Sequence, residues 1–340
     1  MWYEKSGKDT DIVLYSRACI YRNIKGIPFP QKMVSSDREH VIDTVREAVK
    51  GSGMKFVRLD ELDDKSKADL FDQYYATYAF LNDGGESAFL IDTENSTCVT
   101  VNRTEHIEID TILAGSNIRE VFNRSNKVAV DLEKKIDIAY TEKFGFLTSD
   151  LRLLGTGLQL VFLVALPGIE KTQAAYQMLS QRIAQYDWKI EPAIFAEETN
   201  QAGLYIIHNV ATLGVEEASQ LEMANRLINE VIFLERKCRS NIVRKKSLIV
   251  EDQYYRAYGL LRYARKLTTS EVMSLLLWLR LGLERIENDE TDLDWYRLNR
   301  ITHDARRDYG TMMMSGNNAS QKAIRRAERV RKILKGDDEI

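Results

Sequence analysis

The chain has 340 residues, of which 44% are hydrophobic and 29% charged, a composition typical of a globular protein with about two domains. Its formal net charge of −3 excludes binding through bulk charge, so neither nucleic acid nor a membrane is an expected partner. The three isolated cysteines and four histidines exclude a disulfide framework and predict no metal site, and since no apolar run follows Met1, we expect a cytoplasmic protein without a secretory signal.

The first third of the sequence predicts alternating strands and helices. An extended segment is expected over residues 11–17, and the prolines within residues 26–30 exclude a helix there. A capping box at residues 36–39 predicts a helix that begins at Ser36 and ends near Gly51. The remaining elements predicted here are a strand at 55–59, a helix at about 66–78, an antiparallel hairpin of 88–91 with 97–101, and a third strand at 106–110.

Residues 144–168 form the most informative stretch. Positions 158–166 are apolar except for Gln159, and Pro167 ends the run. The run is too short to cross a bilayer, which needs about 20 apolar residues, so it predicts a buried central strand. A Gly-Thr-Gly turn at 155–157 precedes this strand. Spacing favours a simple tight turn, and the alternative is a loop whose backbone N–H groups approach an anion.

The second half of the sequence changes from mixed to helical character. The elements expected in it are helices at about 117–140 and 169–186, strands at 188–196 and 204–208, a helix from 215 onward, a connection at 247–252, and helices at about 253–267, 270–286 and 319–334. We therefore predict an α+β fold. A mainly antiparallel sheet flanked by helices would form a domain of residues 1–245, and an all-helical domain would follow over 246–340.

Four segments, in order and at matching separations, resemble one family over nearly the whole chain. They are DIVLYSR at 11–17, the stretch 144–168, IHNVATLG at 207–214 and EDQYYRAYG at 251–259. In these segments the chain resembles the McsB protein-arginine kinases, members of the phosphagen (guanidino) kinase superfamily. The resemblance implies a phosphagen-kinase-like sheet, a helical C-terminal domain, and a family activity that transfers the γ-phosphate of ATP to arginine side chains.

The resemblance also locates the phosphate-binding arginines of the family. The five matching positions are Arg17, Cys19, Glu108, Gln159 and Glu191, and only the first keeps its charge. Each lost charge-assisted contact removes about 1.5 to 3 kcal/mol of binding free energy. We therefore expect weak ATP binding and no cofactor, with ATP and Mg required only if the chain is active. Arg17 is either a remaining anion contact or a structural ion-pair partner.

The positions that hold and deprotonate the guanidinium group in the family are changed as well. Residues 102–106 match the family's NEEDH segment, which puts Thr104 at the position of the catalytic carboxylate, and Asp150 replaces the reactive cysteine. Glu105 is one residue away and would point to the opposite face of an extended segment. A positioned acid–base group contributes roughly 10² to 10⁴ in rate, so the resemblance implies that no catalytic residue is intact.

Neighbouring charged residues leave two interpretations open. In one, Arg103, Arg152 and Glu105 serve a divergent kinase from shifted positions. In the other, the acids at the family positions have no catalytic role. Each of these acids is then either a surface acid or an ion-pair partner of Arg103 or Arg152. The acids are Glu108, Asp150 and Glu191.

The phosphoarginine-binding motif of the family, RDIRRA, is also degenerate. It matches the helical segment Lys322, Ala323, Ile324, Arg325, Arg326 and Ala327, in which Ala323 replaces the guanidinium-binding aspartate. The pattern predicts an amphipathic helix with a solvated basic face, made of Arg325, Arg326, Arg329, Arg331 and Lys332. The predicted apolar face of the helix consists of Ile324, Ala327, Val330 and Leu334.

Two functional hypotheses follow. The favoured one is a pseudokinase, a catalytically inactive McsB-like subunit that binds proteins in arginine phosphorylation and Clp quality control. The alternative is a divergent but active protein-arginine kinase. The resemblance implies an active McsB paralogue, a McsA-like activator, the Clp unfoldase or protein substrates as partners, within a homo- or hetero-oligomer.

Overall fold

A computed structural model of the chain describes residues 2–83, 85–193, 203–284, 293–315 and 319–336. The strands of the described residues are β1 (Val13–Arg22), β2 (Lys55–Arg58), β3 (Ala88–Ile91), β4 (Thr97–Val101), β5 (Ile107–Ala114), β6 (Tyr140–Thr141), β7 (Gly145–Phe146), β8 (Leu158–Ala165), β9 (Trp188–Pro192) and β10 (Leu204–Asn209). Eight of them form one sheet in the order β2-β3-β4-β5-β1-β8-β10-β9, and β6 pairs with β7. Every strand pair described is antiparallel.

Helices flank this sheet and then make up the C-terminal part of the chain. They are α1 (Ser35–Ala48), α2 (Asp64–Asp72), α3 (Tyr78–Asp83), α4 (Ile118–Glu133), α5 (Pro167–Glu170), α6 (Gln173–Ala184), α7 (Glu217–Lys245), α8 (Ser247–Tyr263), α9 (Thr269–Gly282), α10 (Trp295–Ser315) and α11 (Ala319–Lys335). Helix α7 ends at Lys245 and α8 begins at Ser247. The predicted domain boundary near residue 245 stays a prediction.

The main core lies on one face of the sheet. Alternate residues of the central strands, such as Ile20, Ile109, Leu160 and Phe162, are fully buried against α1, α4, α6 and α7. Because side chains alternate across a strand, the intervening residues of β1, β5 and β8 face the other way. The fold thus presents a second row of side chains on the opposite face, where the candidate site lies.

A second core joins the C-terminal helices to that opposite face near the start of β1. Tyr254, Leu261, Leu276 and Leu298 of α8, α9 and α10 are buried there with Tyr15 of β1. The α+β class, the antiparallel sheet and the helical C-terminal region predicted from the sequence are confirmed. The central strand is β8, which ends at Ala165, one residue before the end of the predicted run, and the hairpin of 88–91 with 97–101 is β3 and β4.

Several predicted element boundaries are wrong, for identifiable reasons. Helix α1 begins at Ser35, and Asp37 accepts a hydrogen bond from the backbone N–H of Val34 at 3.2 Å, so the cap lies two residues before the predicted Ser36. Helix α4 ends at Glu133, because the chain beyond it returns toward β1, where Ile138 bridges Ile24.

Corrections also apply to the second half. The predicted connection at 247–252 is the first part of α8, since Val250 is buried and its packing outweighs the weak helix propensity of the Ile-Val pair. Pro167 begins the short helix α5 instead of only ending a strand. Helix α10 was not predicted. The predicted strand at 188–196 is described to Pro192, and the residues beyond 193 lie outside the described residues.

Candidate functional site

The sheet register places the five positions that the resemblance assigns to phosphate-binding arginines on the face opposite the main core. Cys19 lies opposite Gln159 of β8, and Tyr21, two residues further along β1, lies opposite Glu108 of β5. In β10, Ile206 is opposite both Leu163 and Glu191, which links β9 to the same face. Directly opposed residues in an antiparallel pair share a face. The face therefore brings together Arg17, Cys19, Glu108, Gln159 and Glu191.

Arg17 is engaged by a carboxylate of the neighbouring strand. Its Nε donates to Asp110 Oδ1 at 2.5 Å, and its Nη2 donates to Asp110 Oδ2. The Asp110 side chain is 2% exposed and that of Arg17 22%. Burial acts to lower the pKa of Arg17, but the carboxylate more than offsets it and holds the pKa well above the ordinary arginine value. The guanidinium is thus a permanent cation whose charge is already neutralised.

Cys19 and Gln159 add no charge beside this pair. Cys19 is 1% exposed, and burial raises the pKa of its thiol well above the ordinary value. Gln159 Oε1 accepts a hydrogen bond from the hydroxyl of Tyr21 at 3.2 Å. Both positions are neutral, so neither supplies a cation for a phosphate.

Glu108 is a buried structural acid. One of its carboxylate oxygens accepts from the backbone N–H of Thr104 at 2.8 Å and from the Thr104 hydroxyl at 2.5 Å. The other accepts from Arg103 Nη1 at 3.2 Å. Glu108 therefore holds the turn between β4 and β5, and the Thr104 hydroxyl is committed to it. Of the two interpretations of Glu108, the ion pair with Arg103 is the arrangement found.

Glu105 fixes a second loop. It is fully buried, and its carboxylate accepts from the backbone N–H of Ser149 at 2.9 Å, from the Ser149 hydroxyl at 2.7 Å and from Asn23 Nδ2 at 2.6 Å. The backbone N–H of Asp150 also donates to it at 3.2 Å. Glu105 is thus a structural acid that ties residues 149 and 150 to the β4–β5 turn.

Asp150 and Arg152 form an ion pair at the surface of the same loop. Arg152 Nη2 donates to Asp150 Oδ2 at 2.6 Å, and Arg152 Nε donates to Asp150 Oδ1 at 3.0 Å. The Arg152 side chain is 74% exposed and that of Asp150 33%. Hydrogen bonding from Arg152 lowers the pKa of the Asp150 carboxyl. The pair is ionised at neutral pH.

These side chains line a cleft of about 400 Å³. The eight residues that surround it are Tyr21, Gln31, Thr104, Ser149, Asp150, Arg152, Leu153 and Gln159. Among them, Asp150 is the one acid and Arg152 the one base. The cleft is therefore polar but nearly neutral, with its one cation already bound to its one anion. A polyphosphate chain does not fit this set of residues, because no unpaired cation lines the cleft.

Glu191 lies on the same face at the far strand, β9. It pairs with Lys189 Nζ at 2.5 Å and lies 3.5 Å from His208 Nε2. Hydrogen bonding from Lys189 lowers the pKa of the Glu191 carboxyl. Both charges at this end of the face are therefore paired, and Glu191 presents no cation to a phosphate.

The two glycines of the turn at 155–157 allow close packing of the backbone against neighbouring segments. Gly155 has φ +113°, and a Cβ there would lie 2.4 Å from the carbonyl oxygen of Thr212. Gly157 has φ +59°, and its Cβ would lie 2.7 Å from the carbonyl oxygen of Tyr21. These contacts account for both glycines without an anion. They support the tight-turn interpretation.

The degenerate phosphoarginine motif lies on α11, and its side chains anchor that helix. Arg326 is buried and donates to the Leu267 carbonyl at 2.6 Å, and Arg329 donates to Asp304 at 2.7 Å. The carbonyl of Ala323 accepts a hydrogen bond from the backbone N–H of Leu267 at 3.1 Å. The predicted solvated face is therefore wrong for Arg326, which is 6% exposed.

The predicted apolar face of α11 also needs a correction. Ala327, Val330 and Leu334 are buried as predicted, whereas Ile324 is 37% exposed. Arg325 is exposed and Lys322 is half-buried. The face that packs against α8 and α10 is rotated toward Arg326, because that guanidinium finds a carbonyl partner inside the helix bundle.

Sequence reasoning missed the residue that matters most for the charge of the face. Asp110 was not predicted as a site residue, although it lies two residues after Glu108 in the same strand. A charged residue at that spacing must share a face with Glu108, which was the available signal. Tyr21, Gln31 and Ser149 were missed as well, since ordinary polar residues carry no distinctive pattern.

Two general findings concern the described part of the chain only. Within it, no group of three or more His, Cys, Asp or Glu side chains is arranged to hold a metal ion. Of its helices, none combines the length and the hydrophobicity needed to cross a membrane.

Comparison with solved structures agrees with the fold. A lombricine kinase superposes with a TM-score of 0.60 at 17% identity, covering 70% of each chain. A substrate-free duplicated taurocyamine kinase from Schistosoma mansoni superposes with a TM-score of 0.59 at 16% identity, covering 69% of this chain and 35% of that one. At these identities the likeness shows the fold alone.

Sequence comparison shows the family. Residues 38–238 match the ATP:guanido phosphotransferase C-terminal catalytic domain, and residues 247–339 match the protein-arginine kinase McsB C-terminal domain. A protein-arginine kinase of Clostridium novyi is 31% identical, covering 98% of each chain, and that of Pelotomaculum thermopropionicum is 30% identical, covering 83% of this chain and 81% of its own. The chain therefore belongs to the protein-arginine kinase family of ATP:guanido phosphotransferases.

Proposed function

We propose that this chain is a pseudokinase of the protein-arginine kinase family, which keeps the fold but acts by binding proteins. The observation that carries the proposal is the bidentate ion pair of Arg17 with Asp110. Arg17 is the one cation left at the five phosphate-binding positions, and its charge is neutralised by a buried carboxylate. An anion would have to compete with that carboxylate for the guanidinium, which makes phosphate binding unfavourable.

The guanidinium side of the cleft supports the same proposal. Thr104 cannot act as a carboxylate base, and its hydroxyl is hydrogen-bonded to Glu108. Phosphoryl transfer relies on positioning and on neutralising the charge of the transferred group. The described cleft offers neither a free base nor a free cation, so its residues support binding better than catalysis.

The alternative, a divergent active kinase, requires groups that are already engaged. Glu105 is fully buried and holds the 149–150 loop, Arg103 bonds Glu108, and Arg152 bonds Asp150. To serve catalysis, each would have to leave a partner and rearrange a loop. We therefore place this alternative second.

A transfer assay tests the proposal. The full chain is incubated with Mg-ATP and an arginine-rich protein substrate, and phosphoarginine is quantified, with an active protein-arginine kinase from a relative as the positive control. We expect no phosphoarginine above the level without enzyme. Formation of phosphoarginine at a rate comparable to that of the control would reject the pseudokinase.

The partners we propose come from the resemblance: an active protein-arginine kinase, a McsA-like activator or the Clp unfoldase. Localisation in the cytoplasm and assembly into an oligomer belong to the same proposal. The test is to add this chain to an active relative and to measure both the rate of protein phosphorylation and the size of the complex. A change in neither would reject a regulatory role toward that kinase.

A further inference from the structure

A groove of about 600 Å³ lies between the C-terminal end of α1, the C-terminal half of α4 and the turn that joins β3 to β4. Its lining comes from residues 48–54, 92–97 and 124–135, and it shares no residue with the cleft of the candidate site. The groove is therefore a separate feature of the surface, outside the positions that the family resemblance assigns to phosphate or to guanidinium.

The floor of the groove is apolar and continuous with the main core. Leu132 and Ala48 are 3% and 9% exposed, and Met54 and Val128 are half-buried against the same core. Val128 and Leu132 are four residues apart in α4, so they lie on the same side of the helix. An apolar side chain that enters the groove would thus contact side chains already anchored in the core.

The rim of the groove carries more positive than negative charge. Its three acids are Asp92, Glu94 and Asp131, and its five basic residues are Lys50, Arg124, Lys127, Lys134 and Lys135. The lining therefore has a formal charge of +2, although the net charge of the whole chain is −3. The groove is a local cationic surface on an acidic protein.

Two of these cations have no carboxylate partner. Lys127 makes no ion pair or hydrogen bond within the part of the chain that the structure describes, and Asp131, four residues along α4, pairs with Lys134 at 2.9 Å. Lys135 Nζ donates to the backbone carbonyl of Ala48 at 2.5 Å, which leaves its charge without a counter-charge. The groove thus offers what the cleft of the candidate site lacks, a cation that a ligand can bind.

We propose that the groove binds an extended acidic peptide segment of a partner protein, with one apolar side chain on the floor and a carboxylate at each of Lys127 and Lys135. The inference rests on the proposed function, because it names a surface through which a protein-binding subunit acts. The two lysines are eight residues apart, mostly within a helix, which corresponds to roughly 12 Å. Four residues of extended chain cover a similar length, and alternate side chains of such a chain point to the same face. Carboxylates at positions 1 and 5 and an apolar residue at position 3 therefore match the groove.

The acids of the rim disfavour other anions. Asp92, Glu94 and Asp131 would repel a polyphosphate or a nucleic acid backbone, whose charges are closely spaced. A peptide with two separate carboxylates carries a charge of −2, which matches the excess of +2 on the lining. Charge therefore favours a peptide over a polyanion at this surface.

The test is calorimetric titration of the full chain with the blocked peptide Ac-Glu-Ser-Leu-Ser-Glu-NH2. The unmodified chain should bind it saturably. Lys127 is exposed, so Lys127→Glu should leave the melting temperature unchanged, and it should weaken binding about threefold to tenfold, because it replaces an attraction by a repulsion. Lys127→Ala should give a smaller loss. Replacing the leucine of the peptide by serine should weaken binding about tenfold or more, since its burial on the floor is lost.

Three controls separate the groove from general electrostatics. Lys237 is exposed on α7 and does not line the groove, so Lys237→Glu should leave the affinity unchanged despite the same change of net charge. The peptide with lysine in place of both glutamates should not bind. Sodium triphosphate at equal ionic strength should not displace the acidic peptide. An equal loss in Lys237→Glu and Lys127→Glu, binding of the lysine peptide, or displacement by triphosphate would overturn the assignment.

Absence of saturable binding to the unmodified chain would also overturn the inference. That outcome would leave the catalytic part of the proposed function standing, since the titration contains no nucleotide and measures no transfer. Conversely, phosphoarginine formation by the unmodified chain would reject the pseudokinase, whatever the titration gives. The two failures are therefore distinguishable.

Discussion

The two faces of the same sheet have different kinds of residues. On one face, Ile20, Ile109 and Phe162 are fully buried in an apolar core with the flanking helices. The other face carries charged residues between apolar ones, and its charges are arranged in pairs such as Arg17 with Asp110 and Arg103 with Glu108. The same strands carry both rows of side chains. A substitution on one face must therefore preserve the alternation of side chains along the strand, on which the other face depends.

The two faces make different demands on their residues. The core face needs apolar volume at fixed positions, which the buried side chains of β1, β5 and β8 supply. The opposite face needs partners for its charged groups, and these partners come from within the chain: Asp110 for Arg17, Arg103 for Glu108 and Lys189 for Glu191. A face whose charges satisfy one another is stable without a ligand.

The largest expected effect comes from breaking the core face. Phe162 is fully buried, and its ring stacks with Trp188 at a centroid distance of 6.3 Å. Phe162→Ala leaves a cavity and should lower the free energy of unfolding by about 3 to 5 kcal/mol. Urea denaturation measures this change. A neutral result would contradict the central position of β8.

A smaller effect is expected from breaking the main ion pair of the opposite face. Asp110→Asn leaves the Arg17 guanidinium without a counter-charge and should lower the free energy of unfolding by about 2 to 3 kcal/mol. Asp131→Asn is the matched control, since Asp131 pairs with Lys134 in an exposed i,i+3 pair, and it should change stability by less than about 1 kcal/mol. Equal effects of the two substitutions would show that the Arg17 pair is no stronger than a surface pair.

The exposed pair at the cleft should give a small effect that depends on pH. Arg152 lowers the pKa of Asp150 in the folded chain, so the pair stabilises above the unfolded pKa of about 3.9 and the effect is lost as the pH falls through the lower folded pKa. Asp150→Asn should therefore lower the melting temperature slightly at pH 7. The difference from the unmodified chain should shrink below pH 4. A difference that grows at low pH would contradict the pairing.

The smallest effect is expected at Cys19, which lies on the same face as Arg17. Burial raises the pKa of this thiol, and the side chain is inaccessible. Cys19→Ser should leave the rate of thiol labelling by Ellman's reagent in the folded chain unchanged at neutral pH. In urea, the unmodified chain should label one thiol more than the variant. Rapid labelling that Cys19→Ser removes would place a reactive thiol on this face.

Much of the fold could be predicted because its signals are local. The run Leu158–Ala165 and the hairpin of β3 and β4 carry period-two or continuous apolar patterns, which strands require. Predictions failed where tertiary contacts decide the outcome. The Ile-Val pair at 249–250 has weak helix propensity, yet α8 includes it because Val250 is buried among other helices.

The candidate site was less predictable than the fold. The resemblance located Arg17, Glu108 and Gln159, but it gave no information on which charges are paired. Which charges pair depends on the strand register. In β1 and β5, Cys19 lies opposite Asp110, and this register brings the Asp110 carboxylate beside Arg17. The sequence leaves Glu105 open as a substitute base, whereas its burial under the 149–150 loop is a tertiary feature that no local pattern indicates.

The central claim is that the charges on the sheet face carrying Arg17, Glu108 and Glu191 are neutralised by neighbouring residues of the same chain. Mg-ATP titration calorimetry tests this claim most directly. The unmodified chain should show no saturable binding up to millimolar Mg-ATP at physiological salt. Asp110→Asn combined with Gln159→Arg frees Arg17 and adds a second cation on the same face, so this variant should bind measurably. A micromolar dissociation constant for the unmodified chain, unchanged in the variant, would contradict the account.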